Sequence, residues 1–365
     1  MPKILSNEII EEVLTMPACI EAMEEAYLAW AENQAITRPR SDTYMPVGNG
    51  TYYVLKTMDG ILGPQHIGSI RLNSDLIQWS TNNGVTKKAK LKSAPGGRYN
   101  GMVLLFSTET GEIKAMFPDG YMQKMRVAAT SALSVKHMAR KNADVMGLIG
   151  TGWQATGSIE AVNSVRPLAR VKVYSPTTQH RKEFARIYGE KLGIQVTAVD
   201  TAEEAVRGSS IVSTATNSLT RVLEAEWLEP GCHVMCVKYS ELGDTVRAKA
   251  DRIVVNMHDA TPENYIPGLG RVTGNDPIDL LEQGIEKEQI AESEDTWASK
   301  LPELWEIVNG SATGRGSESE LTLFVNNNGL GLQFSAAGAA ALKAAEEKNL
   351  GIDLPIDWFV QTVHP

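Results

Sequence analysis

The chain has 365 residues, of which 42% are hydrophobic and 22% charged, with a formal net charge of −9 at neutral pH. Its length corresponds to about two domains, and the acidic balance argues against a nucleic-acid binder held by attraction to phosphates. Cys19, Cys232 and Cys236 offer neither a disulfide framework nor a metal-ligand spacing. No stretch shows a signal-peptide pattern or reaches the ~18 apolar residues of a membrane span, so the expected protein is cytoplasmic and makes no membrane contact.

In chain order, "SNEIIEEVLTMPACIEAMEEAYLAWAENQ" carries apolar residues at helical spacing, with Ser6 as N-cap and Pro17 dividing it into two helices. From Arg38 to about Phe117 short β-like runs follow ("TYYVLKTM", "IGSIRLNS", "GMVLLFS", "EIKAMF"), separated by Gly-, Asn- and Pro-rich turns. That texture predicts an antiparallel sheet. The basic cluster "KKAKLK" at 87–92 reads as a solvated loop or an edge strand. Residues 122–140 are again helical. Between 145 and about 256, apolar β-branched strands ("VMGLIG", "RVKVYS", "IQVTAV", "SIVSTAT", "CHVMCV", "RIVVN") alternate with helical stretches, the pattern of a doubly wound parallel sheet. Residues 260–310 read as acidic and helical. The end of the chain, "ELTLFVNNNGLGLQFSAAGAAALKAAEEKNLG", gives a strand, a glycine turn and an Ala-rich helix suited to close packing against the first half.

One segment announces a chemistry. After the strand "VMGLI" come Gly150, Thr151, Gly152, Trp153, Gln154 and Ala155, and then a helix. Gly150 permits the sharp turn, Gly152 lets a pyrophosphate approach the backbone, and Ala155 allows close helix–strand packing. The helix N-terminus offers free N–H groups to phosphates. NAD-binding folds usually place a carboxylate at the end of the next strand, about twenty residues on, for the ribose 2′-OH. Here that place is Ser175, followed by Thr177, Thr178, His180 and Arg181. Hydroxyls and an arginine suit a 2′-phosphate, so NADP is favoured over NAD. Thr214, Ala215 and Thr216, in "STAT", fit the strand end beneath the nicotinamide half.

Taken together, "TETGEIKAMFPDGYMQKMRVAATSALSVKHMAR", "GLIGTGWQA", "STATNSLTRVLEAEWLEPGCHV" and "ELTLFVNNNGLGLQ" resemble, in order and spacing, the ornithine cyclodeaminase/mu-crystallin family. The resemblance implies a Rossmann-type doubly wound sheet (126–314) inserted in an α+β substrate-binding and dimerisation domain (1–125 plus 315–365), assembled as a homodimer. It also implies an NAD(P)-dependent enzyme acting on a small amino- or imino-carboxylate.

On that resemblance, Arg126 and Arg40 match arginines that hold the substrate carboxylate. Arg71 stands where the family carries a lysine; it can bind an anion but not shuttle a proton. Lys56, one strand earlier, reaches toward the same pocket. The catalytic Asp of cyclodeaminases falls at Ser240, leaving Lys238, Tyr239 or Glu241 as the acid for the nitrogen. Asp75 and His66 read as a turn cap and a surface imidazole. These departures favour an imine or ketimine reductase or an amino-acid dehydrogenase. The alternatives are an ornithine cyclodeaminase-type ammonia lyase with bound NAD and a non-catalytic NADP-binding protein of mu-crystallin type.

Overall fold

The computed structural model describes residues 1–82, 85–218, 220–258, 261–273 and 298–363. Its opening helices, Asn7–Val13 and Met16–Ala31, begin at hydroxyl caps: the Ser6 hydroxyl accepts from the amide of Ile9 at 3.3 Å and that of Thr15 from Ala18 at 3.4 Å. Such caps contribute about 1 kcal/mol each. Pro17 stands in the first turn of the second helix, where its missing N–H costs nothing. The break therefore falls at Leu14–Thr15, just before the proline.

Strands Ser41–Gly48, Thr51–Leu62, Ile67–Asn82, Asn100–Ser107 and Ile113–Pro118 pair in sequence as the centre of an antiparallel sheet. The basic cluster begins on an edge strand, Val85–Lys90, paired with Ile67–Asn82. At the far edge, the hairpin Glu263–Ile266 and Gly270–Thr273 joins through Ser41–Gly48. This corrects the helical expectation for residues 260–310 in part: a hairpin occupies 263–273, the helix Leu304–Val308 is short, and 274–297 lie outside the described residues.

Side chains alternate across the sheet. Met58, Leu62, Val103, Leu105 and Phe117 face inward and are buried against helices, while Met45, Leu55, Ile61 and Met102 remain exposed on the other face. The C-terminal helix, Gly331–Glu347, lies on the inward face and completes this domain as expected. Its first residue must be glycine, because a Cβ there would collide with the Asp59 backbone.

The second sheet is parallel, in the order 195–198, 170–174, 145–149, 211–214, 233–236, 322–325, 252–255. Its strands are short and apolar, as burial on both faces demands. The expected domain limits need correction. Thr322–Val325, every residue of it buried, belongs between His233–Cys236 and Arg252–Val255, not with the substrate domain, and the hairpin 263–273 belongs to the antiparallel sheet. The boundary at 125/126 falls inside the continuous helix Gly120–Met138, which packs against both halves.

Replacing Gly331 by alanine should lower unfolding stability by about 3 kcal/mol, because backbone rather than a flexible side chain blocks the new methyl. The midpoint of urea unfolding measures this.

Candidate active site

Strand order reverses between Val145–Ile149 and Ile211–Thr214, and open α/β sheets bind ligands at the carboxyl ends of the strands at such a point. The chain turns there at Gly150, whose φ of +121° excludes side chains and whose Cβ would strike the carbonyl of Ala215. Gly152 caps the helix Trp153–Val165 without a side-chain bond, and a Cβ built on it meets nothing within 4 Å. Open space over free helix N–H groups is what a diphosphate needs. Thr151 is half-buried beside it, and Ala155 is fully buried against the strand.

Gln154 presents a buried side-chain oxygen with no hydrogen-bond partner. With Val127, Ser131, Ser213, Met235 and Cys236 it lines a cavity of about 10 Å³ at the strand ends, room for about one water. Trp153 donates its indole N–H to the carbonyl of Gly120 at 3.3 Å. The ammonium of Lys124 lies 4.4 Å from the Tyr121 ring and 4.5 Å from that of Trp153. The glycine loop is thereby latched to the interdomain helix.

At the end of Arg170–Tyr174, Ser175 is buried and Thr177 is exposed. Arg181 is not a free surface group: it donates to the Ser175 carbonyl at 3.0 Å and to Asp200 at 2.5 Å. Across the crevice, Glu241 is completely buried. It accepts the Thr214 hydroxyl at 3.0 Å, the Thr216 amide at 2.7 Å and the Thr216 hydroxyl at 2.5 Å. Burial raises its pKa, and those bonds oppose the rise. Glu241 thus anchors the loop through Thr216, and Thr214 is spent on that anchor. Ala215 is buried beneath it, Lys238 is half-buried at the start of the turn Tyr239–Glu241, and Ser240 is exposed.

The face of the crevice toward the antiparallel sheet is dominated by buried arginines. Arg71, 3% exposed, donates to Asp119 at 2.8 Å and to Gln123 at 3.0 Å; Asn73 also donates to Asp119, at 2.8 Å. Arg126, 4% exposed, donates to Gln333 at 2.7 Å, and its Nε has no partner. Among the described residues no carboxylate pairs with it. Burial, then the neighbouring charge of Arg71, lowers its pKa to about 9, so it stays charged at neutral pH. Both guanidinium groups lie over the ring of Phe334, at 5.6 Å for Arg71 and 5.0 Å for Arg126.

Arg40 pairs with buried Asp42 at 2.8 Å. Lys56 lies opposite Asp42 on one side and Asn73 on the other. Asp75 is not a turn cap: it is a buried mid-strand carboxylate, 2.6 Å from Lys90 and 3.4 Å from Lys56. His66 is exposed, as expected.

Sequence reasoning missed the residues that hold Arg126. Gln333 accepts from Arg126 and donates to the Tyr27 hydroxyl at 3.0 Å and the Thr130 hydroxyl at 2.9 Å. Tyr27 in turn donates to Asn256 at 2.5 Å. A lone glutamine within the small apolar run "GLGLQFSAAG" was the available signal. Tyr27 and Phe334 carry none, because in sequence they look like ordinary core.

A model of the ornithine cyclodeaminase/mu-crystallin family matches residues 2–348. Over 230 residues the chain is 33% identical to a Δ1-pyrroline-2-carboxylate reductase of Bacillus cereus, a match covering 62% of this chain and 65% of that enzyme, slightly under two thirds of its length. An alanine dehydrogenase of Archaeoglobus fulgidus is 28% identical over 359 residues, 95% of this chain and 96% of that one. An archaeal alanine dehydrogenase dimer with bound NAD superposes with a TM-score of 0.73 at 25% identity, covering 97% of this chain and 99% of that one. The chain belongs to the ornithine cyclodeaminase/mu-crystallin family.

Proposed function

We propose that this protein is an NAD(P)-dependent oxidoreductase that interconverts the C=N bond of a small imino-carboxylate and the CH–NH bond of the corresponding amino acid. The observation that carries this reading is Arg126: a buried, charged guanidinium with an unsatisfied Nε and, among the described residues, no carboxylate partner. Its helix neighbours Val127 and Ser131 line the cavity at the ends of the parallel strands. Such a group calls for an anion from outside the chain. A substrate carboxylate supplies it, with Arg71 beside it and Arg40 further out as additional cations.

The nicotinamide cofactor supplies or accepts the hydride. The open face of Gly152 and the unpartnered oxygen of Gln154 support its place on the glycine loop. Lys238, at the carboxyl end of a central strand, is our choice for the group that holds the nitrogen's proton. Glu241 positions the loop, Arg71 is fixed by Asp119, and neither is assigned that role. Ser240 in place of a carboxylate removes the acid expected of a cyclodeaminase.

We infer a preference for NADP. No carboxylate ends the strand Arg170–Tyr174 to repel a 2′-phosphate, and the Arg181 guanidinium stands one turn away, sharing its charge with Asp200. We also infer a homodimer. The exposed Met45, Leu55, Ile61 and Met102 share the outer sheet face, an apolar surface suited to a second copy, and the related archaeal alanine dehydrogenase was solved as a dimer.

Purified protein given NADPH and imines, either cyclic or formed from 2-oxo acids and ammonia, should consume the nucleotide, and Arg126→Ala should lower kcat/KM about 10³-fold. Release of ammonia from an amino acid without net nucleotide oxidation would instead establish the cyclodeaminase reaction. Gly152→Val should weaken nucleotide binding at least ~10-fold by calorimetry while leaving the urea midpoint unchanged, since its side chain enters ligand space rather than protein. Ser175→Asp should shift the kcat/KM ratio toward NADH by ~10-fold or more, and an unchanged ratio would relocate the ribose contact.

A further inference from the structure

The inward face of the antiparallel sheet carries more positive than negative charge. Cross-strand register sets Arg71 in the row of Met58 and Val103, and the next row outward holds Asp42, Lys56, Asn73 and Gly101. The row after that holds Val54 and Asp75. Successive same-face positions along a strand are about 7 Å apart, so the row of Lys56 lies one step beyond that of Arg71.

In this stretch Arg40, Lys56, Arg71, Lys88, Lys90 and Arg126 face Asp42, Asp75 and Asp119. Each carboxylate has a close cation already: Asp42 has Arg40 at 2.8 Å, Asp75 has Lys90 at 2.6 Å and Asp119 has Arg71 at 2.8 Å. Among the described residues, Arg126 has no carboxylate partner, and the carboxylate oxygen paired with Lys56 is 3.4 Å away on a group that Lys90 holds more closely. Burial, followed by the charges of Lys88 and Arg40, lowers the pKa of Lys56 to about 8, against the opposing pull of Asp75 and Asp42. A cationic substrate side chain would find Asp42 and Asp75 engaged and would add to the surplus.

We propose that Lys56, backed by Arg40, is a distal anion anchor, and that the substrate is a short imino or amino dicarboxylate with one carboxylate at Arg126 and Arg71 and the other at Lys56. This rests on the reductase reading and specifies its substrate class. The redox step is unchanged: hydride passes between the cofactor and the substrate carbon, and a proton is exchanged at its nitrogen. A separation of one two-residue step suits a backbone of four or five carbons. Lys56 is then a specificity residue, distinct from the groups that grip the first carboxylate.

The test compares kcat/KM for NADPH oxidation with oxaloacetate plus ammonia against pyruvate plus ammonia. The native enzyme should prefer the dicarboxylate at least ~10-fold, and Lys56→Met should reduce that preference ~30-fold, as expected for loss of one charge-assisted contact. Lys56→Arg should keep the preference within ~3-fold, and it guards against a folding defect in the methionine variant. A native preference for the monocarboxylate, or a preference that Lys56→Met leaves intact, overturns the proposal. Equal losses on both substrates in both variants would also overturn it, by making Lys56 part of the reacting centre. No turnover of any imine by protein that binds nucleotide would instead overturn the reductase reading itself.

Discussion

Taking a guanidinium out of water without a counter-charge costs several kcal/mol, even after the surroundings relax. The fold accepts that cost at Arg126 and spreads it over three elements. Gln333 supplies one oriented acceptor, the Phe334 ring offers its negative π-face, and Tyr27 and Thr130 fix the glutamine amide so that its oxygen rather than its nitrogen meets the arginine. A fully neutralised arginine would have little left for a ligand, whereas one held by a neutral amide and a ring keeps nearly its whole charge for an anion such as the carboxylate proposed above.

The helix Gly120–Met138 carries this charge to the cofactor crevice. Arg126 faces the C-terminal helix, while Val127, Ala128 and Ser131 line the cavity at the ends of the parallel strands. Near its start, the carbonyl of Gly120 and the side chains of Tyr121 and Lys124 engage Trp153 on the glycine loop. One rigid element thus sets the position of Arg126 relative to the glycine turn. Such a fixed spacing is what the proposed hydride transfer between two separately bound molecules would require.

Legibility in the sequence followed local physics. The glycine turn, the parallel strands and the antiparallel sheet were readable because steric freedom at Gly150, two-sided burial and period-2 alternation each leave a mark within a few residues. The place of Thr322–Val325 was not readable, because a threonine and three apolar residues fit either sheet and only long-range pairing decides between them. Asp75 was misread for a related reason: an acid beside Asn and Ser looks like a turn, and its lysine partners come from neighbouring strands. The arginines were found individually. Their shared ring and the glutamine between them are tertiary facts.

The late strand has a consequence for how the molecule comes into being. The parallel sheet begins at Val145 but is not continuous until Thr322–Val325 arrives between its neighbours. The next element, Gly331–Glu347, brings Gln333 and Phe334 to Arg126. During synthesis, then, almost the whole polypeptide must leave the ribosome before either half closes, and contacts so distant in sequence form slowly. The parallel sheet and the surroundings of Arg126 are thus completed by the same late stretch of chain, so a nascent molecule, or one clipped before Thr322, would lack both together.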